Sequence, residues 1–407
     1  MERIIGISHS NASYAYSISK FFERASYYGF RALIVLYMTG EHLKMSSDDA
    51  LSVFGLFMSS IIVAQIVGAI IGDFAIGNRK SIILGALLQA IGAFCCYMPS
   101  VQEFYVGLFL FVVGSGLYSP NMLSAFGKQY LSKTKLLDAG FSMLYLSVSL
   151  GAFIGVWFIG YVGEKYGWNI GFLFSGILIL LSIIPVLIAK DPELEEEIKR
   201  DQVKDDGLIK ILVALFAVGL FWTIYELSGT QVFDMQMSFS DIYASDVPQS
   251  WWYSLNMAFL LLIILITIVV WTLFHNSQFA KLAAGFVIGS ISLALLLFIP
   301  AVPDESYISL FLLSMFLLAL AEAFIAPVVN SVLTQYASKK YLTIIMSIAY
   351  LPSRLFIFVL GLAGLNGDEV LVNSLLYCTI AMFAVSIGLV IYYLNSRQLP
   401  PTTLNSF

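Results

Sequence analysis

The sequence predicts an all-α, polytopic membrane protein with twelve transmembrane helices in two six-helix bundles. Three observations carry that expectation: a charge-poor composition, a succession of apolar stretches near twenty residues each, and one charged connector that divides them six and six. Of 407 residues 59% are hydrophobic, 15% aromatic and 12% charged, a balance that fits lipid rather than water as the solvent.

A helix crossing a hydrocarbon layer about 30 Å thick needs about 20 apolar residues. The first six such stretches are 16–39, 51–72, 81–99, 104–127, 139–162 and 169–189. The second six are 210–233, 251–274, 280–301, 307–333, 341–365 and 370–394. Residues 190–209 form the connector, in which both signs of charge are interspersed as in a solvated linker. The domain expectation is therefore a bundle over 1–189, a cytoplasmic linker over 190–209 and a second bundle over 210–407.

The opening residues lack a basic region followed by an apolar core, so no cleavable signal is expected. With the amino terminus inside, Lys and Arg fall as 15 cytoplasmic, 2 periplasmic (Lys44, Lys165) and 4 within spans. That bias obeys the positive-inside rule and places both termini in the cytoplasm of a cell with the chain in its inner membrane.

Several function classes drop out. A net charge of −5 and acidic loops offer no footprint for nucleic acid. Cys95, Cys96 and Cys378 lie in apolar stretches and build no disulfide framework, while His9, His42 and His275 have no metal-ligand spacing and are expected in loops. No metal, cofactor or catalytic constellation is expected, and the chain is read as other than an enzyme.

Ionised side chains inside spans carry the functional signal, because each costs about 2.5 to 3.5 kcal/mol on insertion scales. Span 1 holds Lys20, Glu23, Arg24 and Arg31; spans 7, 10 and 11 hold Glu226, Glu322 and Arg354. At about 100° per residue, Lys20, Arg24, Tyr27 and Arg31 share a stripe of roughly 60°, with Glu23 and Tyr28 on its edges. Such a stripe lines a cavity or meets carboxylates. The deep charges of the first half sum to +2 and those of the second to −1, so a zwitterion reaching both halves would satisfy them. Static buried pairs that fix helix register are the structural alternative. Pro120, Ser124 and Gln129-Tyr130 of span 4 echo Pro327, Ser331 and Gln335-Tyr336 of span 10, as expected of duplicated transporter halves with Pro-interrupted helices.

Motif by motif, the chain resembles the proton-dependent oligopeptide transporters of the major facilitator superfamily. Span 1, FFERASYYGFRALIVLYMTG, is similar to the E-x-x-E-R…Y-Y-G-x-R signature through Glu23-Arg24, Tyr27-Tyr28-Gly29 and Arg31. Gly68, Gly72, Asp73, Gly77, Arg79 and Lys80 resemble the superfamily's cytoplasmic loop motif, where Asp73 is expected to pair with basic groups and Gly77 to permit a tight turn. Spans 4 and 5 (GSGLYSPNMLSAFGKQY, DAGFSMLYLSVSLGAF), span 7 (FWTIYELSG) and span 10 (AEAFIAP) also resemble family stretches.

The resemblance implies transport of di- and tripeptides or peptide-like zwitterions by alternating access with proton coupling, in a monomer embedded in the bilayer. It implies substrate contacts from Arg24, Tyr27, Tyr28, Arg31, Tyr145, Ser149, Asn256 and Glu322. It also implies an outer salt bridge between Arg31 and Glu226, and a coupling cluster of Glu23 and Arg24. The chain departs from the pattern at Lys20, Ile62, Ser119 and Ser149. Lys20 stands for an acid and Ser119 for a lysine, so Lys20 is expected to replace that lysine as partner of Glu322, with Arg354 as a second candidate. The departures keep open a non-peptide amphipathic solute, or a facilitator or exporter without proton coupling. A non-transporting receptor or scaffold is the alternative of another class.

Overall fold

The computed structural model describes residues 9–41, 43–190, 207–243, 249–300, 302–349, 351–362 and 368–398. The linker charges at 191–206, both chain ends and His42 lie outside them. Eleven helices among the described residues are long and apolar enough to cross a membrane. Helix α1, Asn11–Thr39, has the length but carries the four span 1 charges, and it supplies the twelfth crossing.

The chain divides into two compact units, residues 1–211 with 333–348, and residues 212–332 with 349–407. The sequence division at 190–209 does not foresee the return of 333–348 to the first unit.

In the first unit α1 is followed by α2 (Ser47–Ile71), α3 (Asn78–Tyr97), α4 (Val101–Lys128), α5 (Leu137–Tyr166), α6 (Trp168–Leu181) and α7 (Ile183–Ile188). Ser10 and Ser46 cap α1 and α2 by accepting from Ser13 N and Asp49 N, and Asp48 and Asp49 complement the dipole of α2. The sixth crossing is broken into α6 and α7 at Ser182 because Pro185 has no N–H to give Leu181. Pro120 is different: α4 runs through it, so the expected interruption of that span is absent.

Close helix approach rests on absent side chains. A Cβ on Gly68 of α2 would strike the backbone of Gly116 on α4, and one on Gly72 would strike the Asn121 amide. Beyond α2 a single π-helical turn, Gly72–Ile76, ends at Gly77, whose φ of 82° turns the chain into α3. Phe30, Phe57, Phe111, Phe104, Tyr37 and Phe172 form the core, with Phe30 and Phe111 stacked at 3.9 Å.

The second unit contains most of α8 (Gly207–Ile242), α9 (Gln249–Leu273), α10 (Gln278–Leu296) and most of α11 (Ile308–Tyr336), with α13 (Leu351–Leu362) and α14 (Asp368–Gln398). Pro327, like Pro120, lies inside an unbroken helix. Gly219 of α8 packs on Pro352 of α13, and Ser292 of α10 and Ser314 of α11 exchange hydrogen bonds with each other's carbonyls at 2.8 and 2.9 Å. The end of α11 and the short α12 (Leu342–Ser347) belong to the first unit.

His9 lies in the loop ahead of α1, as expected, and is tied down there. Its Nδ1 bonds the Tyr130 hydroxyl at 2.8 Å beyond the end of α4, and its Nε2 is buried without a hydrogen-bond partner. Burial, then the nearby Lys133 charge, hold the imidazole below its ordinary value of 6.5.

Two outcomes follow for stability in detergent. Gly68→Ala lowers the melting temperature, by an overpacking term of about 1 to 3 kcal/mol, whereas Gly55→Ala on the same helix, where a Cβ meets nothing within 4 Å, does not. Because folding favours neutral His9, the unfolded chain protonates first as pH falls. Its stabilising contribution is present above 6.5 and lost below, so His9→Gln shows a smaller drop in melting temperature on going from about pH 7 to about pH 5.

Candidate functional site

The span 1 stripe places its charges as a compact cluster on α1. Glu23 is fully buried and Lys20 is 4% exposed. Arg24 grips the Glu23 carboxylate through Nε at 2.7 Å and Nη2 at 2.5 Å, and Lys20 Nζ lies 3.0 Å from Oε2. Ser119 on α4 accepts from Arg24 Nη2 at 3.0 Å and from Lys20 Nζ at 3.4 Å. The ammonium therefore stands beside the position where the family pattern has its span 4 lysine.

Neighbouring groups hold the cluster in place. Tyr118 donates to Ser19 Oγ at 2.7 Å, and Ser19 donates to the Ser182 carbonyl at 2.6 Å, at the break before α7. That chain sets the Tyr118 ring 5.2 Å from Lys20 Nζ. Arg24 lies 4.4 Å from the Tyr27 ring centroid and 5.8 Å from that of Tyr28, so cation–π attraction adds to the ion pair. Ser149 on α5 is buried and Tyr145 half-buried.

Within each unit these charges have partners of their own. Lys20, expected to face Glu322, is paired with Glu23 one turn along its own helix, the spacing at which helical side chains meet. Glu226, expected to meet Arg31, is held by Arg354 of its own unit, whose Nη1 lies 3.1 Å from both carboxylate oxygens. That pair is about half exposed, at 53% and 55%. The Arg31 guanidinium sits 5.7 Å from the Phe54 ring.

Glu322 on α11 is 5% exposed and interacts electrostatically with Tyr225 of α8. The Tyr225 hydroxyl accepts from Asn256 Nδ2 at 2.8 Å, and Asn256 Oδ1 is buried without a hydrogen-bond partner. Trp222 packs edge-on against Tyr225 at 5.4 Å. Tyr225 escaped sequence reasoning because the family pattern has an unsubstituted aromatic ring there, and only its hydroxyl links Asn256 to this corner.

The loop motif after α2 joins its unit through Asp73 and Asn78. Asp73 meets a hydroxyl and a helix end rather than basic groups: Thr343 Oγ1 donates to it at 2.5 Å and Ile344 N at 3.1 Å, in the first turn of α12. Asn78 donates to Thr343 Oγ1 and to Asn121 Oδ1, each at 2.8 Å, and accepts from Lys128 Nζ at 2.6 Å. Asn121 in turn donates to the Gly68 carbonyl at 3.0 Å. Lys340 lies over the Phe74 ring at 6.0 Å, while Arg79 donates to the Leu187 carbonyl at 2.8 Å and Lys80 is exposed. No spacing in the sequence advertises a bond between residues 270 apart.

A twelve-crossing helical chain with this motif matches a family model described as Major Facilitator Superfamily over residues 16–361. The chain belongs to that superfamily. It is a multi-pass membrane protein. This superfamily member is 29% identical over 202 residues to a dipeptide and tripeptide permease A of Serratia proteamaculans (strain 568), covering 48% of this chain and 39% of that one. It is 27% identical over 191 residues to the uncharacterized transporter YclF of Bacillus subtilis (strain 168), covering 46% and 39%. These matches span about two fifths of the length of either relative. A crystal structure of a POT family transporter in complex with a thioalcohol-conjugated peptide has the same fold, with a TM-score of 0.64, 20% identity, and coverage of 94% of this chain and 96% of that one.

Asp73→Ala leaves Thr343 and the α12 terminus without their acceptor, a loss of about 1 to 3 kcal/mol. A cysteine placed at buried Ser347 is then labelled several-fold faster by a thiol reagent in detergent than in the Asp73 form.

Proposed function

We infer that the chain is a secondary transporter of di- and tripeptides or peptide-like zwitterions. The observation that carries this reading is the division of buried charge. The first unit holds a cluster with two cations to one acid, and the second holds the buried acid Glu322, which interacts with Tyr225, the residue whose hydroxyl accepts from Asn256. A zwitterionic solute carries the charge that complements each of them. Arg24 and Lys20 take the carboxylate, Glu322 and Asn256 Oδ1 take the ammonium, and Tyr27, Tyr28, Tyr145 and Ser149 line the solute's body. The permease relative and the peptide-bound fold neighbour support the same solute class.

Transport proceeds by alternating access, with the bundles over 1–189 and 210–407 rocking and the linker over 190–209 joining them. Acid-driven uptake enters through a carboxylate whose pairing changes during the cycle, Glu226 or Glu322. The working form is a monomer in the cell inner membrane, with both termini cytoplasmic. A second reading keeps the fold and moves a non-peptide amphipathic acid without proton coupling, which the cation at Lys20 and its loss at Ser119 favour.

Binding separates the readings. Ligands of the folded form raise its melting temperature by mass action. Dialanine or trialanine stabilises the wild type, and Arg24→Ala and Glu322→Gln each weaken that binding at least tenfold, about 1.4 kcal/mol. If no peptide stabilises the protein while a non-peptide carboxylate does, the second reading replaces the first.

A further inference from the structure

At position 225 this chain departs from the family's span 7 stretch by one oxygen atom, with tyrosine where that pattern has an unsubstituted ring. The ring keeps the packing of such a residue, tilted against Phe221 at 5.9 Å and edge-on to Trp222 at 5.4 Å. The hydroxyl adds a bond that a plain ring cannot make. It joins α8 to α9 by accepting from Asn256 Nδ2 at 2.8 Å.

An asparagine amide has two faces, N–H donors on one side and a carbonyl acceptor on the other, and its neighbours decide which way round it sits. Here the deciding neighbour is the phenol. Glu322 on α11 acts electrostatically on Tyr225, and a hydroxyl in the field of a carboxylate turns its proton toward the negative charge. What the oxygen then offers Asn256 is a lone pair, so the amide presents Nδ2 to it. Asn256 Oδ1 is left on the other side of the amide, buried and without a hydrogen-bond donor among the described residues. A buried acceptor in that condition is unfavourable until a donor reaches it. The two groups linked through Tyr225, the Glu322 carboxylate and Asn256 Oδ1, are thus both acceptors.

We propose that Tyr225 is a positioning residue for solute selection: its hydroxyl holds the Asn256 amide with the acceptor free, so the protein takes a solute with a free ammonium and rejects one whose amino group is acylated. An ammonium brings donors for both acceptors. An acyl carbonyl brings a third acceptor and repels them. With phenylalanine at 225 the amide is free to turn and to give Nδ2 to that carbonyl, and the discrimination weakens. This rests on the zwitterion reading of the solute, whereas the orientation of the amide does not.

Dialanine and N-acetyl-dialanine, titrated against the melting temperature of purified wild type and Tyr225→Phe, test it. The wild type binds dialanine more tightly, and Tyr225→Phe lowers the ratio of the two affinities by about threefold to tenfold, the weight of one hydrogen bond. A merely structural hydroxyl weakens both ligands alike, so an unchanged ratio overturns the proposal, as does equal binding of the two ligands by the wild type. In the Asn256→Ala background Tyr225→Phe no longer changes the ratio, because a positioning residue acts only through the group it positions. Should Asn256→Ala fail to fold, the ratio in Tyr225→Phe decides alone. Without solute, Tyr225→Phe and Asn256→Ala couple in a double-mutant cycle of melting temperature, and additivity overturns the bond. If the wild type binds neither peptide, the zwitterion reading fails and the selection drawn from it fails too, while the solute-free cycle still decides whether Tyr225 holds Asn256.

Discussion

Burying ionised groups within a membrane bundle is the constraint that organises the first unit. Charges in hydrocarbon persist only where partners or water offset their desolvation. Helix α1 concentrates four of them, and the surrounding sequence is fitted to that load. Gly151 and Gly155 of α5 bring its backbone against α1 at Phe21 and Ala25, Ser119 of α4 bonds both cations, and Tyr118 is fixed by Ser19 and the broken end of α6. Small residues on α5 and hydroxyls on α4 are thus consequences of one charged stripe. The aromatic core around Phe30 and Phe111 lies farther along α1, beyond the hydrogen bonds that tie buried Ser26 to Ser175 of α6.

Helix number, helix order and the residues of the stripe were legible in the sequence because hydrophobic length and 3.6-residue periodicity are local properties. Partnerships were only partly legible. The stripe arithmetic put Lys20 and Glu23 near one another, whereas the family resemblance paired Arg31 with Glu226 and the departures at Lys20 and Ser119 paired Lys20 with Glu322. Inside the units Glu23 meets Lys20 through i,i+3 geometry, and Glu226 on α8 meets Arg354 on α13. The hydroxyl of Tyr225 and the Asp73–Thr343 bond were invisible for another reason: each joins segments distant in sequence, and neither residue breaks a composition rule where it stands.

Asp73 also shows how a loop motif acquires meaning from what it touches. A carboxylate at the end of α2 accepts from the first turn of α12, so the helix dipole and a threonine hydroxyl supply the positive end that basic groups were expected to supply. The bond holds 333–348 to the first unit, and Asn78, Asn121 and Lys128 extend it into a network anchored at the Gly68 carbonyl. Such a latch is short, polar and at the bundle's edge. It therefore releases at modest cost compared with the apolar packing around it.

The two ion pairs described here differ in one mechanical respect, whether their members share a helix. Partners on one helix keep their separation however the bundle moves, so their charge state is set once, by composition. Partners on two helices are separated by any motion that slides those helices, so their charge state follows the conformation. Lys20, standing where the family pattern has its first acid, adds a second cation of the former class beside a Glu23 that Arg24 already pairs. What the substitution removes in titratable capacity it returns as positive charge held on α1.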